Sequence, residues 1–194
     1  MATFYIADTH FGHKNILHYD NRPFYTVEGM NNQLADNWQM RVTPNDTVYI
    51  LGDFCWGSQR EWEKHLIRLS GQKVLIRGNH DPRKLDDSVM RHFVDVLDYA
   101  EIEDAGRNVV LCHYPIPCFK NQFKGWYHLY GHVHVSFEAE MMEHDKFLME
   151  QLYDRKCQMF NVGAMMPWMD YTPRTLDEII ASVKEVRTDE TGQA

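Results

Sequence analysis

The chain reads as an α/β protein, a sandwich with β-sheet at its centre and helices outside. Two observations predict this. Short β-type runs alternate with helical patterns through the first half of the chain, and strands then dominate until a last helix. Five of those runs also end in Asp, Asn or His, as strands do where an open α/β sheet presents a ligand crevice.

Each element has a local reason. The runs TFYIA (3–7), DTVYIL (46–51), KVLI (73–76), NVVLC (108–112), GWYHLY (125–130) and MFNVG (159–163) are short and rich in β-branched or aromatic residues, which favours strands. Helical patterns lie around 27–42, 58–70 and 82–92. Ser58 with Glu61 makes a capping-box start, and Gly71 sits where a C-terminal cap belongs. Asp81 before Pro82 predicts an N-cap and first helical position, a role preferred for Asp81 over a catalytic one. In segment 136–158, Met141, Leu148 and Leu152 recur at helical spacing. They predict an inserted amphipathic helix that packs on the core, with a lid or dimer contact as its other reading. Thr175 with Glu178 repeats the capping box before the last helix. A single domain is expected over 1–187, with a tail over 188–194.

Composition narrows the function classes. A formal charge of −8 argues against a surface that grips extended nucleic acid through many phosphates, but leaves room for a nucleotide. The four cysteines form no C-x-x-C pair, so free thiols in a reducing cytoplasm are expected and cysteine-ligated zinc is not. No window has the apolar length of a membrane span, and the N-terminus has no signal-peptide pattern.

The polar clusters are ADTH (Asp8, His10), LGDF (Asp53), RGNHD (Asn79, His80), LCHYP (His113) and YGHVH (His132, His134). Mixed carboxylate, imidazole and amide donors suit Mn, Fe, Zn or Mg. The i, i+2 pairs Asp8/His10 and His132/His134 would point to one face of an extended segment. Gly52, Gly78 and Gly131 directly precede three of the clusters, where a tight backbone path near a ligand favours no Cβ. Cys112 beside His113 makes a poor nucleophile pair, because adjacent strand residues face opposite ways. His18, His65, His92, His128 and His144 read as surface or structural, and Trp126, Tyr127, Trp168 and Tyr171 as packing.

Taken in order, D-x-H, G-D, G-N-H-D, H and G-H-x-H resemble the calcineurin-like metallophosphoesterase superfamily, over about two thirds of the chain. The stretches NVGAMMPWMDYTPRTLDEI and NRPF are similar to its closing elements and to its small bacterial and phage members. The resemblance implies a four-layer αββα sandwich with central mixed β-sheets. It also implies two divalent metal ions, manganese foremost, with Fe, Zn, Ni or Mg as alternatives. Asp8, His10, Asp53 and His134 would hold the first; Asp53, Asn79, His113 and His132 the second, with Asp53 as bridge and catalytic group. His80 would face the phosphate and stabilise or protonate the leaving oxygen. His13 and Arg22 are the residues expected to touch substrate. Two divalent ions against Asp8, Asp53 and a hydroxide leave about one positive charge for a phosphate.

The implied activity is hydrolysis of a small phosphodiester or phosphomonoester, nucleotides included, by metal-activated hydroxide, in a monomer or homodimer. GDFCWGS lacks the continuation found in the protein phosphatases of the superfamily, and the chain is short for the repair-type nucleases. Two alternatives stand beside it: a nuclease using a basic groove of Lys73, Arg77, Arg83 and Lys84, and a non-catalytic scaffold on the same fold.

Overall fold

The computed structural model describes the backbone of residues 1–191 and the side chains of residues 1–183. Two four-stranded sheets form its centre. The first is parallel throughout: β1 (Thr3–Ile6), β2 (Thr47–Ile50), β3 (Gln72–Ile76) and β4 (Phe93–Leu97), in that order. The second is mixed. β5 (Ala100–Asp104) runs antiparallel to β6 (Arg107–Leu111), which pairs in parallel with β7 (Tyr127–Tyr130), and β7 with β8 (Met159–Asn161).

The helices are α1 (Ile16–Tyr19), α2 (Val27–Arg41), α3 (Gln59–Leu66), α4 (Asp87–Met90), α5 (Phe137–Tyr153) and α6 (Leu176–Thr191). Of the two predicted capping boxes, Thr175/Glu178 closes fully and Ser58/Glu61 forms its N-cap half. Ser58 accepts the Glu61 N–H at 3.4 Å; Glu178 accepts the Thr175 N–H at 2.9 Å while Thr175 accepts that of Glu178 at 3.4 Å. The expected tail overlaps the end of α6, and residues 192–194 lie outside the described residues.

Alternation along β6 builds the layers. Val109 and Leu111 face the main core shared with β1, β2 and β3, whereas Val110 faces a second cluster with Tyr130, Met142 and Met159 beneath α5. Fully burying each such aliphatic side chain is worth about 1.5–3 kcal/mol. On the far side of the first sheet, Leu34 and Trp38 of α2 and Trp62 and Leu66 of α3 complete the main core.

Three expectations are corrected. The helix around 82–92 shrinks to the single turn of α4, and the chain then enters β4. Asp81 caps nothing: its carboxylate is held by three loop N–H groups described below. In α5 the helical spacing is right but the face is offset. Met142 turns inward, while Met141, Leu148 and Leu152 are exposed.

The sheets are joined at one edge. Ala7 donates to the Val162 carbonyl and Ala164 donates to the Ala7 carbonyl, both at 2.8 Å, so the end of β1 is hydrogen-bonded to the chain leaving β8. The strand ends that carry the polar clusters meet beside this seam.

Candidate metal centre

Asp8 and His10 follow β1, Asp53 follows β2, and Asn79 and His80 follow β3. His113 follows β6; His132 and His134 follow β7. The expected extended path through the two i, i+2 pairs is not what brings them together. Asp8 (φ 53°), His10 (φ 49°), Asp53 (φ 52°), His132 (φ 70°) and His134 (φ 45°) are all left-handed. Kinked loops, rather than strands, turn these side chains into one cluster.

Ordered hydrogen bonds hold the kinks. Arg22, expected as a substrate contact, is buried and donates to the Asp8 carbonyl at 2.8 Å, to the Thr9 carbonyl at 3.1 Å and to Asp20 at 2.9 Å. It supports the loop and does not line the hollow above the cluster. Asp81 accepts from the backbone N–H groups of Asp53 and Phe54 at 3.0 Å and of Gly78 at 2.8 Å. Close approach explains two of the glycines. A Cβ on Gly78 would lie 2.3 Å from Asp53 Oδ1, and one on Gly131 2.3 Å from Asp8 Oδ2.

The ring nitrogens show which atoms face inward. His113 Nδ1 donates to the Leu51 carbonyl at 2.8 Å, which leaves its Nε2 lone pair 3.0 Å from Asn79 Oδ1 and 3.7 Å from Asp53 Oδ2. Asn79 Oδ1 is also 2.9 Å from His132 Nδ1. On the other side, His134 Nδ1 donates to Asp20 at 2.7 Å, and its Nε2 sits 3.3 Å from His10 Nε2 and 3.5 Å from Asp8 Oδ1. His10 Nε2 is in turn 3.7 Å from Asp53 Oδ2.

Acceptors facing acceptors at such distances fit a cation between them. Donors ~2.1 Å from a shared ion stand ~3.0–3.4 Å apart in octahedral or tetrahedral arrangement. Ligand atoms of Asp8, His10, Asp53 and His134 all lie within 4.8 Å of one another. Asp53, Asn79, His113 and His132 converge alongside, and a donor set of carboxylate, imidazole and amide suits hard-to-borderline divalent metals.

The electrostatics agree. Burial pushes the His10 imidazole down to about 2 and the Asp53 carboxyl up to about 6. Burial would also raise Asp8, but the His134 hydrogen bond and the surrounding imidazoles hold it at about 2. For His134 burial is outweighed by the bonds to Asp20 and Asp8, which push it up to about 10.

His80 is half-exposed; its backbone N–H donates to Asp53 Oδ1 at 2.9 Å, and its Nε2 is 3.9 Å from Asp53 Oδ2. It lines a hollow of about 450 Å³ together with Trp56 and Tyr19. His13 also lines it, with Nδ1 3.4 Å from His10 Nδ1 and its ring stacked on Trp56 at 4.2 Å. Lys73 leaves the expected basic groove: it is buried and donates to the Leu69 and Gly71 carbonyls at 2.7 and 3.0 Å. Asp20 and Trp56 were missed as parts of this site, and Asp81 was given the wrong role there. For Asp20 the sequence offered only its place two residues before Arg22, in the NRPF neighbourhood.

The family model for calcineurin-like phosphoesterases matches residues 1–167. The chain belongs to the calcineurin-like phosphoesterase family. This phosphoesterase is 34% identical to an uncharacterized protein of Methanocaldococcus jannaschii over 188 residues, covering 94% of this chain and 93% of the other. It is 34% identical over 131 residues to the gene 66 protein of a mycobacteriophage, covering 58% of this chain and 63% of that protein. Its fold is similar to a crystal structure of a protein of unknown function from Aquifex aeolicus, with a TM-score of 0.66, 28% identity, and coverage of 92% and 97%. Among the described residues, no helix of the phosphoesterase is long and apolar enough to cross a membrane.

Proposed function

We propose that this phosphoesterase hydrolyses small phosphodiesters or phosphomonoesters, nucleotides among them, in the cytoplasm with two divalent ions, manganese foremost. The reading rests on one observation: two sets of inward-facing lone pairs, from Asp8, His10 and His134 and from Asn79, His113 and His132, meet at Asp53. When bound, such a pair of ions acidifies water to supply the nucleophile and screens the phosphate charge. The neutral amide of Asn79 keeps the cluster from cancelling that charge, as an aspartate there would. Asp20 fixes the His134 tautomer and Leu51 that of His113, so both Nε2 atoms stay directed inward. His80, half-exposed at the wall of the hollow and tied to Asp53 through its backbone, is placed to give a proton to the departing oxygen.

The test is reconstitution with Mn, Ni, Zn or Mg, followed by assay on bis-p-nitrophenyl phosphate, p-nitrophenyl phosphate and cyclic nucleotides. Metal-dependent hydrolysis that disappears in Asp53→Asn is the expected result. Silence with every ion, at a measured load of two ions per chain, would favour the scaffold reading.

A further inference from the structure

Two hollows flank the cluster and share Asn79. One is the 450 Å³ space above His10, His80 and His134; the other, about 620 Å³, opens between Arg77, Arg83, Asp98 and Tyr114. Each is large enough for a small ligand group, since binding pockets run to roughly 300–1,000 Å³.

Each hollow also has an exposed aromatic ring beside the proposed ligands. Trp56 is 47% exposed, directly after the buried run that ends at Cys55. Its indole stacks on His13 with 10° between the planes, and its backbone N–H donates to the Phe11 carbonyl at 2.8 Å, which fixes the loop that carries the ring. Tyr114, 45% exposed, meets His132 edge-on at 4.6 Å and His113 at 5.2 Å. The two rings therefore stand at the two ends of the cluster, one beside each ligand set.

The second hollow is lined by two guanidinium groups and two carboxylates, of which Arg83 alone is exposed and unpaired among the described residues. Asp98 is neutralised by Arg77 at 2.7 Å, and both Asp81 oxygens are occupied by backbone N–H groups. Arg83 is exposed and has no ion-pair partner among the described residues. It offers one exposed guanidinium free to bind, suited to a phosphate.

We propose that the substrate is a phosphodiester lying across both hollows: a planar arm stacks on Trp56, the scissile phosphate spans the cluster, and the second arm carries another phosphate to Arg83. A 5′-phosphorylated dinucleotide is a molecule of this class. The assignment rests on the phosphoesterase reading above. In the step itself a P–O bond forms from water, one P–O ester bond breaks, and the departing oxygen takes a proton.

The experiment compares bis-p-nitrophenyl phosphate, an unphosphorylated dinucleotide and its 5′-phosphorylated form on manganese-loaded protein. A charge-assisted contact predicts about tenfold higher kcat/KM for the phosphorylated dinucleotide. Arg83→Ala should bring that ratio near one and Arg83→Lys restore most of it. Trp56→Ala should raise KM for both dinucleotides, with Trp56→Phe recovering it. If bis-p-nitrophenyl phosphate is not cleaved, the phosphoesterase reading fails first. If it is cleaved but the dinucleotides are equivalent, or their ratio survives Arg83→Ala, the two-hollow assignment alone is overturned.

Discussion

Five of the seven proposed ligands hang from residues with positive φ, a conformation that costs a non-glycine residue roughly 1–3 kcal/mol. Such a cost persists only where surroundings impose it, and here Arg22 and Asp81 impose it by bonding loop backbone. The division of labour at RGNHD follows from geometry. Asn79 presents its oxygen to two imidazoles, whereas His80 faces the open hollow. Asn79→Ala should therefore lower the metal content from two ions per chain toward one, read by elemental analysis. His80→Ala should keep both ions while kcat falls about 10²-fold, the usual size of a general-acid contribution. An empty metal site in His80→Ala would remove His80 from the proton-transfer role.

At the scale of elements, Asp81 separates two kinds of structural duty by magnitude. Loss of a helix cap costs about 1 kcal/mol. Removing an acceptor from three N–H groups costs about 3 kcal/mol or more, since each unsatisfied buried donor costs about 1–3 kcal/mol. Urea unfolding of Asp81→Ala should show the larger loss, and a loss near 1 kcal/mol would return Asp81 to a minor role. The elements legible in the sequence were those buried on both faces. β1, β2, β3, β6, β7 and β8 read as apolar runs because layers cover them on both sides. β4 (FVDVL) and β5 (AEIED) did not, because neither has a fully buried position and both carry charges where they are exposed. The helical pattern around 82–92 misled because Asp81 satisfies loop donors instead of a helix start. The ordered D-x-H to G-H-x-H blocks made the cluster readable from residue types alone. Asp20 was hidden, because its bond to His134 spans 114 residues of sequence and only the fold brings the two together.

For the whole molecule, acid sensitivity should come partly from a histidine far from catalysis. His128 is fully buried, donates from Nδ1 to the Val110 carbonyl at 3.1 Å and accepts the Ile116 N–H at Nε2. Burial pushes it down to about 4 from 6.5. The unfolded chain takes up this proton below pH 6.5, but the native protein takes it up only near pH 4. Stability from this group is thus fully present above pH 6.5, falls with pH across that window, and is flat below it. The total is on the order of 3 kcal/mol. Urea midpoints between pH 7 and 4 should decline, and His128→Gln should flatten the slope; an unchanged slope would assign it to other groups.

The backbone seam at Ala7 has a mechanical outcome. The parallel sheet brings Asp8, His10, Asp53 and Asn79, the mixed sheet brings His113, His132 and His134, and prising the two apart would tear peptide hydrogen bonds where they touch. The jaws are welded at the bite. A substitution that loosened this seam would therefore disturb both halves of the cluster at once, even though it touched none of their side chains.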